Sequence, residues 1–137
     1  MSWVVDTCLV IDVLEGDPEF GQASARLLDR MAKDDLSLCP VSYVELAPAF
    51  LGDRRRQNEF LDAIGISHDE AWDGAATQAA HQAWHLYVGL RRAKKTARRP
   101  VADILIGAFA SCRKGLLTRN GDDFAKAFPS LKIVAPK

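Results

Sequence analysis

The sequence predicts an α/β fold built on a central parallel sheet of about four to five short strands, with helices on both faces. Three observations carry this. Short apolar segments rich in Val, Leu and Ile recur along the chain, as strands covered on both faces require. Between them lie longer stretches with apolar residues at helical spacing. The length of 137 residues and the 48% hydrophobic content suit one compact domain. No repeat, low-complexity run or linker divides the chain, so residues 1–137 are expected to form a single domain.

The elements follow in order. Residues 3–6 read as the first strand, and 7–14 as a helix with Leu9, Val10, Val13 and Leu14 apolar. Gly16 stops it. Asp17-Pro18-Glu19 reads as N-cap, Pro at the first position and an acidic first turn, opening a second helix that runs to about Lys33. Its apolar face is Phe20, Ala23, Leu27, Leu28 and Met31. Residues 36–39 form a second strand. Pro40 or Val41 opens a third helix, which Pro48 should kink or break. Gly52-Asp53 restarts a helix through Ile64, and Ile66-Ser67 is a marginal third strand. The longest helix should run from Asp69 to about Lys95, a buried helix over 101–114, a strand over 116–118, a short helix over 122–128 and a last strand over 132–134.

Several function classes are argued against at this level. No run of eighteen apolar residues is present, so no membrane span is expected. The start Met1-Ser2-Trp3-Val4-Val5-Asp6 has no basic n-region, which argues for a cytoplasmic protein. Cys8, Cys39 and Cys112 are odd in number and widely spaced, which fits buried fillers in a reducing compartment. With 18 basic and 18 acidic residues, no global field draws the chain to nucleic acid. Such contact would need a local patch, and six cations fall between positions 91 and 99: Arg91, Arg92, Lys94, Lys95, Arg98 and Arg99. The patch reads equally as the solvated end of a helix or as a phosphate-binding surface.

Four carboxylates carry the chemistry. Asp6 ends the first strand, Glu45 comes early in the helix after the second, Asp103 lies in the apolar run Val101–Gly107, and Asp123 follows the fourth strand. A carboxylate among apolar neighbours is costly to bury unless paired or metal-bound. Strand ends of a parallel sheet are where sites form. Oxygen-only ligands favour hard cations such as Mg2+ or Mn2+. Each residue also has a plainer reading: Asp6 as a helix cap, Glu45 as a solvated helix residue, Asp103 and Asp122–Asp123 as acids suited to helix starts. Asp12 reads as a surface or helix residue rather than a ligand. His81 and His85, four apart on a helix, read as an ordinary pair on one face, since Gln82 stands where a zinc-protease motif has Glu.

The segments Val4-Val5-Asp6-Thr7 with Leu9–Asp12, Ser42–Leu46, Pro100–Ala108, and Leu117–Asn120 with Asp123-Phe124 occur in that order. Together they resemble a PIN-domain ribonuclease, and within that family the VapC toxins of bacterial toxin–antitoxin pairs. The resemblance covers essentially the whole chain. It implies a PIN fold, Mg2+- or Mn2+-dependent endoribonuclease activity with a metal-activated water, inhibition by a small VapB-type antitoxin, and a homodimer. The positions matching its acidic motifs are Asp6, Glu45, Asp103 and Asp123, and the pattern alone favours Asp123 over Asp122. Thr7 and Asn120 match supporting polar positions, with Asp122 beside them. Cys8 departs from the family's usual Ser, which puts a hydrogen bond from that position in doubt. The apolar cluster Phe20, Leu27, Leu28, Tyr43, Phe50, Phe60 and Leu61 is expected to form core or a groove for the antitoxin. Two other classes remain: a PIN-like binding module without catalysis, and, ranked far below, a receiver-like phosphoacceptor domain, which needs an acceptor Asp after its third strand where the region 53–64 reads as helical and highly charged.

Overall fold

The computed structural model describes residues 1–92 and 100–137, with the backbone alone at 90–92 and Pro100. Five strands, β1 (Trp3–Val5), β2 (Leu36–Ser37), β3 (Ile66–Ser67), β4 (Gly115–Leu117) and β5 (Ile133–Val134), lie in one parallel sheet. The described helices are α1 (Thr7–Glu15), α2 (Gly21–Met31), α3 (Pro40–Glu45), α4 (Arg54–Ala63), α5 (Gly74–Arg92), α6 (Pro100–Ser111) and α7 (Gly121–Ala127). The sheet order is β3-β2-β1-β4-β5. The chain therefore builds outward from β1 on one side, then returns to add β4 on the other. The order reverses between β1 and β4, the switch point beside which open sheets place their sites. A receiver domain has the order 2-1-3-4-5, so this topology excludes the receiver-like reading.

The period-two pleat divides the core. Val5 and Leu117, paired in register, face one layer with Leu9, Val10, Leu27, Leu28, Leu46, Phe50 and Leu61. Val4 and Leu116, also paired, face the other with Ile106, Phe109 and Phe124. Gly107 lets α6 meet the ring of Phe128, which a Cβ at that position would strike. Of the cluster expected as core or groove, Leu27, Leu28, Phe50 and Leu61 are fully packed core, which leaves Phe20, Tyr43 and Phe60 partly exposed. Among the described residues no helix is long and apolar enough to cross a membrane.

Two helix starts differ from expectation, each because a polar side chain satisfied nearby backbone first, while the break at Pro48 is the one expected. The Asp17 carboxylate accepts from the amides of Glu19 (2.9 Å) and Phe20 (2.8 Å), making a turn, and α2 begins only at Gly21. The long helix starts at Gly74 rather than Asp69, with Asp73 accepting from Ala76 N at 2.9 Å. The helix before Pro48 stops at Glu45, and Pro48–Phe50 is a separate 3-10 turn. Gly16 ends α1 as expected, in a left-handed conformation with φ of 58°. Residues 93–99, which hold Lys94, Lys95, Arg98 and Arg99, lie outside the described residues, as do the side chains of Arg91 and Arg92.

Candidate metal centre at the carboxyl edge of the sheet

Asp6 leaves β1 beside the switch point and is wholly buried. Its amide donates to Leu117 O at 2.9 Å, which ties it to β4. Its side chain is engaged from three directions. Oδ1 accepts from Thr7 N at 2.8 Å, capping α1. Oδ2 accepts from the Thr118 hydroxyl at 2.7 Å and from the Cys8 thiol at 3.4 Å. The cap that Asp6 makes and its bonds to Thr118 and Cys8 thus coexist, and the thiol of Cys8 supplies the bond that its departure from Ser put in doubt.

Glu45 reaches the same place from α3. Thr7 Oγ1 donates to Glu45 Oε1 at 2.7 Å, so one threonine links both carboxylates through its amide and its hydroxyl. Tyr43 holds α3 against α4, its hydroxyl donating to Asn58 Oδ1 at 2.6 Å and its carbonyl accepting from Gln57 Nε2 at 2.8 Å. Asp103 is half-buried in the first turn of α6. That helix ends just before β4 and packs on α3 and β1, so its first turn returns toward the carboxyl edge. Asp122 and Asp123 are exposed in the first turn of α7 and line, with Arg119, Asn120, Gly121 and Ala135, a cleft of about 430 Å3. Asn120 contributes its backbone amide, which donates to Thr118 Oγ1 at 3.0 Å.

In kind, these donors fit a hard divalent cation, since all the carboxylates offer oxygen. Ser42 Oγ, buried one turn before Glu45, has no hydrogen-bond partner among the described residues. In position, no three His, Cys, Asp or Glu side chains among the described residues already stand together as a metal-binding group. Magnesium keeps several waters and uses few carboxylates, so ligation partly through water suits such spacing.

Two residues of this region escaped the sequence reading. Thr118 carries the same signal as Asp6, a polar residue closing an apolar strand at the switch point. Asp12, expected as a surface or helix residue, is helical but only 3% exposed. It accepts a two-pronged bond from Arg119, Nε to Oδ2 at 2.7 Å and Nη2 to Oδ1 at 3.0 Å, and a third from Ser24 Oγ at 3.0 Å. Asp12's hydrogen bonds push the Arg119 pKa up and keep the guanidinium charged. A cavity of about 580 Å3 opens at the opposite edge, between Ser2, Glu70 and Arg113. There Arg113 is spent on Glu70 (2.6 Å) and Phe109 O (3.0 Å).

Burial, then the nearby Asp6 charge, pushes the Cys8 thiol up to about 12, and burial pushes Cys39 up to about 11. Both are neutral at physiological pH, but only Cys39 is the buried filler expected, since Cys8 and Cys112 are half-buried and Cys8 bonds Asp6. Alkylation of Cys8 and Cys39 by iodoacetamide at pH 8 should be slower than that of a free thiol by roughly a hundredfold or more. Because the folded values lie above the unfolded value of 9.0, the stability they contribute is full below pH 9. It is lost as pH rises through about 11 to 12, and melting temperatures should fall across that window. Rapid labelling of both cysteines in the folded protein at pH 8 would contradict this.

No protein-family model matches the chain, and no curated protein matches it significantly. Among solved structures the fold has a clear counterpart, and it is a PIN-like α/β fold. The similar chain belongs to the crystal structure of VapBC2 from Rickettsia felis bound to a DNA fragment from their promoter. The two agree over 100% of both chains with a TM-score of 0.72, at 15% sequence identity. Likeness at that identity is a likeness of fold.

Proposed function

We propose that this chain is a metal-dependent endoribonuclease acting as the toxin of a VapBC-type pair. The observation that carries the reading is Asp6, a wholly buried carboxylate at the switch point, joined through Thr7 to Glu45. Burying a carboxylate is costly, and a bound cation would lower that cost further. Asp6, Glu45 and Asp103 would hold Mg2+ or Mn2+ directly or through water, with Asp123 approaching from α7. When bound, the ion supplies a water of lowered pKa and neutralises charge at the scissile phosphate.

The chain's own residues do the rest. Thr118, Cys8 and the Thr7 amide fix the Asp6 oxygens, and the Thr7 hydroxyl holds Glu45. Asp122 and Asn120 border Asp123 in the cleft beside them. Carboxylates alone repel RNA, so a cation serves substrate binding as well as chemistry. The cations at 91, 92, 94, 95, 98 and 99 are assigned to RNA phosphates. A small VapB-type antitoxin is the proposed partner, since the structural counterpart is a VapBC2 complex. A homodimer in the cytoplasm completes the reading.

The competing reading is a PIN-like binding module without catalysis. It is favoured by the fact that no three metal-binding side chains among the described residues already stand together. Titrating Mg2+ and Mn2+ into a mixed RNA pool decides between them: cleavage should appear with the metal and vanish with EDTA, and no cleavage at any metal concentration leaves the binding module. Replacing Arg98 and Arg99 with Gln should raise KM, flatten the salt dependence and change kcat little. An unchanged salt slope in that double variant removes the RNA role of the patch.

A further inference from the structure

We propose that the pair of buried Asp12 and half-buried Arg119 is a positioning device that sets the Asp6 carboxylate, acting through the segment 118–120. Its catalytic consequence rests on the nuclease reading above; its structural part does not.

The contacts form a continuous chain from α2 to Asp6. Ser24, on α2, donates to Asp12 on α1 at 3.0 Å. Asp12 receives the Arg119 fork at 2.7 and 3.0 Å, and the guanidinium lies 4.0 Å from the centre of the Phe20 ring at the start of α2. Arg119 is therefore fastened to both helices. The residue before it donates its hydroxyl to Asp6 Oδ2 at 2.7 Å, and the residue after it donates its amide to that same hydroxyl oxygen at 3.0 Å. The amide of Asn120 leaves the Thr118 hydroxyl proton directed at Asp6. Thr118 thus holds Asp6, Asn120 orients the Thr118 hydroxyl, and the Arg119 side chain ties the segment between them to α1 and α2, beside the main-chain bond from Thr118 N to Val134 O at 3.1 Å.

The chemistry of the anchor matters. A planar guanidinium bound two-pronged fixes direction as well as distance, which a lysine or an apolar side chain does not. A buried ion pair is weak support for stability, and an apolar pair of similar volume often serves as well. Retaining the fork beside Asp6 is explained by direction. Misplacing a reacting group by about 1 Å can reduce the rate by roughly a hundredfold.

The test separates direction from stability. The triple variant Asp12→Leu/Ser24→Ala/Arg119→Met removes all the buried polar groups together, so its stability should stay near wild type. Native-state hydrogen exchange is read in the metal-free protein at Thr7 and Asn120, whose amides donate to Asp6 Oδ1 and Thr118 Oγ1. Trp3 and Leu116, bonded to Asp35 O and Lys132 O, serve as references. We expect exchange at Thr7 and Asn120 to accelerate about tenfold or more with the references unchanged, and kcat for RNA cleavage to fall about a hundredfold with KM little changed. Unchanged protection at Thr7 and Asn120, or an unchanged kcat, overturns the proposal. Should the triple variant not fold, Arg119→Lys, which keeps the charge without the fork, is judged by the same two readouts. If the wild-type protein cleaves no RNA, the nuclease reading fails, and hydrogen exchange alone decides whether the pair positions Asp6.

Discussion

Asp6→Asn and Asp103→Asn should each lower RNA cleavage by at least about a hundredfold while the fold stands. The two differ in what else they disturb. Asp6 is wholly buried and accepts from Thr7 N, the Thr118 hydroxyl and the Cys8 thiol. Asparagine keeps one acceptor oxygen but turns the other side into a donor facing Thr118. The Thr118 oxygen already accepts from Asn120 N, so the hydroxyl has to reorient or lose a bond. Hydrogen bonds to charged groups contribute roughly 1.5–3 kcal/mol, and loss on that order is expected. It is offset in part by relief of repulsion from Glu45, which shares Thr7 with Asp6. Asp103 is only half-buried on the first turn of α6, so its variant should cost less stability than that of wholly buried Asp6. Cleavage assays run alongside melting curves check both, and undiminished cleavage in the two variants would remove the site assignment.

Arg119→Ala should be the most destabilising single change in this region. It strands the Asp12 carboxylate, 3% exposed, with Ser24 as its remaining partner among those described here. Breaking one side of a buried pair costs about 3–5 kcal/mol, which lowers the melting temperature by roughly 10 °C or more in a chain of this size. Asp12→Ala should cost less, because the Arg119 guanidinium it leaves behind is about a quarter exposed and reaches water. Combined, the two should cost clearly less than their sum, because the second change removes a charge already left unpaired. Denaturant midpoints for the two single variants and the double variant measure this. Losses below about 1 kcal/mol in both singles would mean that the pair is solvated rather than buried.

Much of the framework is legible in the residues, and the exceptions share a cause. The strands could be located because each is a short apolar run bounded by polar residues, and Gly16 marks its own helix end. Asp6 and Glu45 stand out because a charge beside Val5 or between Val44 and Leu46 calls for compensation. Asp12 stands in an equally apolar stretch, between Ile11 and Val13, and still reads as a surface or helix residue. What separates it is the partner: Arg119 lies 107 positions away, and local pattern carries no trace of a contact at that range. Thr118 is concealed for the same reason, its bond to Asp6 spanning 112 positions. The late starts of α2 and α5 have a local cause instead. Asp17 and Asp73 each capture backbone amides with their own carboxylates, and a capping pattern does not say which turn will win.

The place of β1, between β2 and β4, has a consequence in time. Strand β2 is made soon after β1, but β4 begins at Gly115, so the centre of the sheet is closed only by a segment far along the chain. Until then Asp6 lacks the Leu117 carbonyl for its amide and the Thr118 hydroxyl for its carboxylate. Pairings between such distant segments are also the slow ones to form. A chain still emerging from the ribosome therefore carries Asp6 and Glu45 without the geometry that arranges them, and whatever Asp6 does begins only once β4 has been made and paired.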